Sequence, residues 1–524
     1  MKTVQIRLHP LGKILQVRRG SSLKDALHEF GVEFPCGGKG SCGRCAVRIL
    51  DGKIETDPRH GQRLKELGLD PEWRLACLSS CGGDLTVEVG QFETIIQADE
   101  TPFEFEPGSG SGVAVDLGTT TLVAQLVDLE SGHILAVETG INPQKVYGSD
   151  LISRLEAAIS GGPGALTELI RLRIGSMVEA LSRGRTTELA KVVIVGNTVM
   201  QHLFCGSDIR PLSFYPFESP DLDMKQFTSR ELGWSTACDR IRFYPSIGSF
   251  VGSDILAGIE ATGMYRKKEC SVLIDLGTNG EIVAGNRERL LCASTAAGPA
   301  FEGARISKGM LATTGAISSV YSSREVHPPG SGLSGPGLQK SGNAGVSEKG
   351  FSVSVIGNAE PRGICGSGLI DAVGLMLEEG LLGEFGEILS GEEQIRIAGP
   401  VSLTQKDIHE FQLAKSAIAT GLEILLGKLG IDRAEVSDIY LAGAFGTYIN
   451  LKNILRTGML DFPEGRIHKL GNTAVMGARM FLFSKPSVTE EILGITDHIN
   501  LESEEYFQDL FISHMNFAPG NHDS

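Results

Sequence analysis

No run of about 18 consecutive apolar residues occurs in this 524-residue chain, so the sequence offers no membrane-spanning helix. Its first residues, Met1 to His9, lack the apolar stretch of a secretory signal, and we expect a cytoplasmic protein. Positive charge is scarce. Lys and Arg total 48 against 64 Asp and Glu, a net charge of −16, which excludes a generic nucleic-acid or anionic-membrane surface as partner. A Walker A loop is missing, because no Gly-Lys pair is followed by Ser or Thr. One Gly-x-Gly-x-x-Gly occurs at Gly330, Gly332 and Gly335, but no strand precedes it and no helix follows, so it reads as loop composition. Ten cysteines in so long a chain do not make a secreted disulfide scaffold. A composition of 41% hydrophobic and 21% charged residues excludes disorder throughout. The length suggests about three domains.

Glycine is the residue in excess. There are 67, well above the usual ~7%, and no G-X-Y period accounts for them. The cysteines are also uneven: Cys36, Cys42, Cys45, Cys77 and Cys81 lie at the amino-terminal end, and the other five are scattered as small buried hydrophobes. Around the first group, Val4–Leu8 and Ile14–Arg18 alternate like a hairpin, and Ser22–Phe30 has helical spacing. Strands are expected at Ala46–Leu50 and Leu85–Val89. The spacing Cys36-x5-Cys42-x2-Cys45-x31-Cys77 supplies three thiolates from one glycine-rich loop and a distant fourth, which is what a [2Fe–2S] cluster requires. Glycines in such a loop let backbone N–H groups point at the sulfides. A four-cysteine zinc site is the competing reading, but zinc modules usually carry two short Cys-x2–4-Cys pairs and this chain has one. The x5 interval is similar to that of adrenodoxin-like ferredoxins. Arg74-Leu-Ala-Cys77 resembles the usual approach to the fourth ligand in that superfamily, which favours Cys77 and leaves Cys81 as the weaker alternative.

Residues 91–111 are acidic and end in a Gly-Ser alternation, which reads as a flexible linker. Two related strings follow: Val113-Ala-Val-Asp116-Leu-Gly118-Thr-Thr120 and Val272-Leu-Ile-Asp275-Leu-Gly277-Thr-Asn-Gly280. Each is a strand, a glycine turn with hydroxyl or amide side chains, and a second strand, so one β-rich subdomain is duplicated. The chemistry suits a nucleotide. Backbone N–H groups and hydroxyls wrap phosphates, and a carboxylate at each strand end holds Mg²⁺ through water. The pair resembles the phosphate loops of the ASKHA superfamily of acetate and sugar kinases and actin. Ile439-Tyr-Leu-Ala-Gly443-Ala-Phe-Gly446 is similar to its adenosine loop.

Between and beyond these loops lie Asn142-Pro-Gln, Gly148-Ser-Asp150-Leu-Ile-Ser-Arg154, Gly196-Asn-Thr-Val-Met-Gln-His202, Gly248-Ser-Phe-Val-Gly-Ser-Asp254, Ala297-Gly-Pro-Ala-Phe-Glu302, Gly363-Ile-Cys-Gly-Ser-Gly-Leu-Ile-Asp371 and Gly471-Asn-Thr-Ala. With the cysteine loop in front, the chain resembles the reductive activators of corrinoid-dependent proteins over nearly its whole length. These ATP-driven enzymes return an inactive Co(II) corrinoid partner to Co(I). The resemblance implies an α/β and α+β multidomain fold: a β-grasp [2Fe–2S] ferredoxin at 1–90, the linker, and a duplicated RNase H-like ASKHA ATPase. Its subdomains would span 112–262 and 263–485, the second with a Gly/Ser/Pro-rich insertion at 327–350, and 486–524 would be a carboxy-terminal extension. It implies a [2Fe–2S] cluster, ATP and Mg²⁺ as cofactors, and Cys36, Cys42, Cys45 and Cys77 as metal ligands. Asp116 and Asp275 would position Mg²⁺. Gly118, Thr119, Thr120, Gly277, Thr278, Asn279 and Gly280 would hold phosphates, with Gly443 and Gly446 at the nucleoside and Lys415 on the nucleotide. Asp254 or Glu302 would orient the attacking water, while Asn197 and His202 sit nearer to structure.

Longer relatives carry an extra domain that the short linker here does not accommodate. The corrinoid-binding signature Asp-x-His-x-x-Gly is absent: Asp407-Ile-His409 comes closest but has Gln412 where glycine is required. The cobalt cofactor therefore belongs to a separate partner. A low-potential electron donor is also implied, and a homodimer is compatible with the reading. The competing functions are an activator of radical dehydratases, a small-molecule kinase with a regulatory ferredoxin, and a non-enzymatic ATP sensor.

Overall fold

The computed structural model describes residues 3–9, 13–27, 30, 32, 38–40, 45–66, 73–88, 103, 105–148, 150–185, 187–277, 279–295, 297–298, 300–301, 303, 305–322, 351–443 and 449–517. Cys36, Cys42, Thr278, Glu302, Gly446 and the expected insertion at 327–350 lie outside them. The chain divides into two compact units. One comprises Met1–Phe92, Ile96–Asp254 and Ala478–Ser484; the other comprises mainly Ile255–Gly477 and Lys485–Ser524.

In the first unit, the amino-terminal residues form a five-stranded mixed sheet in the order Ile14–Arg18, Thr3–His9, Ser79–Glu88, Ala46–Thr56, Trp73–Leu75. Thr3–His9 alternates strictly between exposed and buried positions, so Val4, Ile6 and Leu8 point inward under the helix Leu23–Leu27, whose Leu23 and Leu27 are also buried. A sheet with one short helix across one face is the β-grasp arrangement expected.

The same unit holds a six-stranded sheet ordered Lys225–Phe227, Ile241–Phe243, Leu189–Val195, Ser111–Leu117, Thr121–Asp128, Ile134–Ile141. The second unit repeats it: Ile467–Gly471, Val436–Ala442, Cys270–Leu276, Gly280–Gly285, Leu290–Thr295, Thr496–His498. In each sheet the Asp-bearing strand has a parallel neighbour on one side and an antiparallel hairpin partner on the other. Both Asp-bearing strands are buried at every position except the sixth, the aspartate, which is half-buried. Strands covered on both faces read as continuous apolar runs, which is why both strings stood out in the sequence.

The division falls at Asp254, inside the helix Ser253–Thr262, and Ala478–Ser484 returns to the first unit. There Phe481 stacks on Tyr244 at 4.4 Å, and Phe483 lies 4.4 Å from Phe105 and 5.5 Å from Phe103. Gly108 N–H donates to Leu129 O (2.7 Å), just beyond the strand Thr121–Asp128. Thr496–His498 pairs with Leu290–Cys292, and Leu501 and Phe517 are buried in the core of the second unit. No helix among the described residues is long and apolar enough to cross a membrane.

Candidate functional site

Cys45 immediately precedes the strand Ala46–Thr56, and Cys77 sits in the 3₁₀ turn Ala76–Leu78 that follows Trp73–Leu75. Pairing of Ala46 with Leu75, and donation from Ala76 N–H to Cys45 O (2.9 Å), carry the two cysteines together. Their sulfurs lie 3.2 Å apart, Cys45 buried and Cys77 half-buried. Of the glycine loop, Gly38 and Gly40 have φ of +86° and +76°. The positive φ favours glycine at both positions, and a Cβ at Gly40 would also press on Leu78 Cδ1 at 2.9 Å. Convergent thiols beside a glycine loop fit an iron–sulfur group. Cys81 is placed differently. It is fully buried in the apolar core of the domain, and burial pushes its thiol up to about 11.

At the first phosphate loop, a Cβ on Gly118 would fall 2.5 Å from Thr121 O, which requires glycine at the turn. Three side chains from three other segments support the loop, each from a motif quoted above. Asn142 Nδ2 donates to Gly118 O (2.9 Å), and its backbone N–H donates to Thr120 O (2.8 Å). Arg154, with no exposed surface, donates from Nη2 to Thr119 O (2.6 Å) and from Nε to Gly148 O (3.0 Å). Asn197 Nδ2 donates to Thr119 Oγ1 (2.9 Å). The sequence pointed to these motifs but not to their convergence on one loop. His202 is buried between Thr198 O (2.8 Å) and Ser219 Oγ (2.7 Å), and burial holds its pKa below the ordinary value. The domains of this unit also touch: Lys24 Nζ donates to Val146 O (2.8 Å), in the turn Pro143–Val146 that Asn142 caps.

At the second loop, Gly277 N–H donates to Asn279 O (3.0 Å), closing a tight turn after Asp275. Gly280 opens the return strand, and a Cβ there would come within 2.8 Å of Thr295 Oγ1. Gly443, at φ +92°, packs against this loop; a Cβ on it would lie 2.4 Å from Leu276 O and 2.7 Å from Asp275 Oδ1. Its N–H donates to Gly471 O (2.9 Å), which brings the start of Gly471-Asn-Thr-Ala alongside. Asp116 and Asp275 are therefore matched carboxylates at the carboxy-terminal ends of matched strands. Asp254 lies in the first turn of Ser253–Thr262.

Lys415, expected on the nucleotide, is covered by the carboxy-terminal segment. On the helix Gln405–Leu429 it is almost fully buried, and its ammonium donates to Asn516 O (2.5 Å) and lies 5.1 Å from the Phe517 ring. Burial lowers its pKa to about 8. Asn516 is far along the chain, so the helical pattern around Lys415 gave no sign of this cover.

A thiol-bearing β-grasp domain joined to a duplicated sheet with paired aspartate–glycine turns defines the class: an iron–sulfur protein with an ASKHA ATPase fold. Family models agree segment by segment. A 2Fe-2S iron-sulfur cluster binding domain matches residues 6–81, the RACo middle region 111–267, and the C-terminal (ASKHA) domain of RACo 269–523. The corrinoid activation enzyme RamQ of Eubacterium limosum is 32% identical over 443 residues, covering 78% of this chain and 70% of RamQ. The [Co(II) methylated amine-specific corrinoid protein] reductase of Methanosarcina barkeri is 28% identical over 434 residues, 78% of this chain and 77% of the relative. A solved structure, the reductive activator for corrinoid,iron-sulfur protein, aligns over 98% of both chains with a TM-score of 0.65 and 25% identity. The chain belongs to the RACo family of reductive corrinoid activators.

Proposed function

We propose that this protein uses ATP to drive single electrons from its [2Fe–2S] domain onto the Co(II) corrinoid of a separate partner protein, restoring Co(I) for methyl transfer. The observation that carries the reading is the union, in one chain, of convergent cysteine thiols on a β-grasp sheet and two matched aspartate–glycine loops on a duplicated ATPase fold. The cluster, when bound, supplies a one-electron store. Cys45 and Cys77, with Cys36 and Cys42, hold it, and Gly40 lets the loop close against Leu78.

Energetics explain why ATP is needed. For a one-electron transfer, each ~59 mV of mismatch costs tenfold in the equilibrium, so a gap of a few hundred mV leaves almost no Co(I). The protein shifts this balance only by binding one cobalt state of its partner differently, and nucleotide turnover resets the complex. In this reading Asp116 and Asp275 hold Mg²⁺ through water. Gly118, Thr119, Thr120, Gly277, Thr278, Asn279 and Gly280 face the phosphates, and Gly443 and Gly446 the nucleoside. Asp254 or Glu302 orients the attacking water. A low-potential donor refills the cluster, and the protein works in the cytoplasm.

The test mixes reduced protein, Mg-ATP and a Co(II) corrinoid protein, and follows the Co(I) absorption band. We expect reduction that depends on ATP and on the partner. Reduction that runs equally without ATP overturns the proposal. A phosphorylated small-molecule product with partner-independent turnover supports a kinase instead.

A further inference from the structure

The first phosphate loop is held by groups that lie outside it, and their hydrogen-bond polarity dictates what Thr119 presents. Asn197 caps the helix Thr198–Cys205, its Oδ1 accepting from Met200 N–H at 3.0 Å. That bond fixes the amide: Oδ1 faces the helix, so the group facing Thr119 is Nδ2, which only donates. Thr119 Oγ1 therefore accepts at 2.9 Å, and its own O–H proton must point elsewhere. Among the described residues that proton meets no acceptor, although Thr119 is only 7% exposed. A buried hydroxyl proton without a partner costs free energy unless a ligand supplies one.

The backbone is fixed in the same sense. Asn142 and Arg154 tie the carbonyls of Gly118 and Thr119 toward the protein. In a trans peptide the following N–H points the opposite way, so the N–H edges of Thr119 and Thr120 lie on the side away from those bonds. Donors gathered on one side of a glycine turn suit an anion.

We propose that Asn197 is a positioning residue that turns the Thr119 hydroxyl into a donor for a phosphate oxygen of ATP, with Asn142 and Arg154 fixing the loop backbone behind it. This rests on the reading of the loop as a nucleotide site and deepens it.

The experiment uses the full-length protein and measures Mg-ATP binding by calorimetry, KM and kcat for ATP hydrolysis, and thermal unfolding. The variants are Thr119→Val, Thr119→Ser, Asn197→Ser, Asn197→Asp and the Asn197→Ser/Thr119→Val pair. Ser and Asp both cap helices well, so neither Asn197 variant loses the helix start. Losing a hydrogen bond to a charged oxygen weakens binding by about tenfold or more. We expect that loss, read as KM more than kcat, in Thr119→Val and in Asn197→Ser, with Thr119→Ser close to the parent. Asn197→Asp, whose second oxygen takes the Thr119 proton back, binds more weakly than Asn197→Ser. The pair binds within about twofold of Thr119→Val alone, because Asn197 acts through that hydroxyl. Multiplicative losses in the pair, or an Asn197→Ser effect confined to unfolding temperature, overturn the inference. Unchanged binding in Asn197→Ser also overturns it while leaving the nucleotide site standing. A parent protein that binds no Mg-ATP sinks the nucleotide reading itself.

Discussion

Replacing Cys81 with Ala should leave the iron–sulfur chromophore in place, whereas replacing Cys77 with Ser should remove it. Cys81 is fully buried, and its thiol is pushed from 9.0 up to about 11. A metal ligand must be a thiolate, and burial makes that form about 3 kcal/mol harder to reach than in an ordinary cysteine. The backbone adds to the cost. Cys81 N–H donates to Ser21 O (2.9 Å), Gly20 N–H donates to Cys81 O (2.8 Å), and Cys81 is paired in register with Ile54. Turning this sulfur toward Cys45 would break those bonds, at about 1 kcal/mol each. The Cys77 sulfur needs no such turn, since it already lies 3.2 Å from that of Cys45.

The assay is anaerobic reconstitution followed by visible absorbance and iron content, with thermal unfolding as a control. Cys81→Ala should bind a full complement of iron. Its domain should melt a few degrees lower, as expected when a small buried group worth about 1 kcal/mol is removed. Cys77→Ser should show little absorbance. A full spectrum in Cys77→Ser together with its loss in Cys81→Ala would refute the assignment and the burial argument together.

Three further outcomes are expected. Leu75 N–H donates to buried His60 Nε2 (3.1 Å), and burial holds this imidazole below 6.5. The native state then binds fewer protons than the unfolded one, so stability falls as pH drops through about 6.5, and cluster bleaching should be faster near pH 5 than at neutral pH. His60→Gln should flatten that dependence, and an unchanged profile counts against it. Asp371, enclosed with Asn453 Nδ2 at 2.9 Å and Val320 N–H at 3.3 Å, is raised by burial from 3.8 to about 7. Here the native state holds the extra proton, so stability declines as pH rises from about 4 to about 7, by a few kcal/mol at most. Asp371→Asn should lose that slope in thermal unfolding; a parallel slope would mean another group titrates. Lys415→Met should speed proteolytic cutting within residues 507–517, because it removes the bond to Asn516 O, while leaving the KM for ATP within about twofold of the parent. A large KM increase with no change in cutting would put the ammonium at the nucleotide instead.

The amphipathic and all-apolar strands, the cysteine spacing and the repeated aspartate–glycine turns were legible because each is a local pattern with one physical cause. What escaped was non-local. Arg154 was quoted in a motif, yet nothing in Leu-Ile-Ser-Arg says that a guanidinium is buried with its nitrogens on Thr119 and Gly148 carbonyls. Charged side chains are rarely buried, so pattern reasoning places them outside. The burial of Lys415 was illegible for the same reason. Its cover arrives from residues 511–517, and Gln412 and Ser416 beside it also donate to carbonyls of that segment. The three-residue strand Thr496–His498 is too short for alternation to reveal, and only its pairing with Leu290–Cys292 makes the carboxy-terminal segment part of the sheet. Cys77 and Cys81 are four residues apart and chemically alike; the Arg-Leu-Ala-Cys resemblance favoured Cys77, and in the structure burial and the approach to Cys45 separate them.

The two copies of the subdomain show which part of such a site the backbone dictates and which part side chains must add. In both, five buried strand positions precede a half-buried aspartate, and a parallel neighbour fixes the register on one side. Duplication of the ladder is therefore enough to duplicate the carboxylate. The close backbone packing behind each loop is duplicated too: a Cβ on Gly196 would fall 2.6 Å from Leu117 O, as one on Gly443 would fall 2.4 Å from Leu276 O. Gly118, Thr119 and Thr120 are held by donors from Asn142, Arg154 and Asn197. At the second loop, the backbone of Gly443 comes up against Asp275 and Leu276, where even a methyl group would collide. Among the described residues the first loop thus combines this packing with directional side-chain donors. Hydrogen bonds fix the orientation of a hydroxyl and of peptide planes, while packing fixes only distance. The added donors at the first loop therefore fix the orientation of the Thr119 hydroxyl and its neighbouring peptides, which packing alone would leave open.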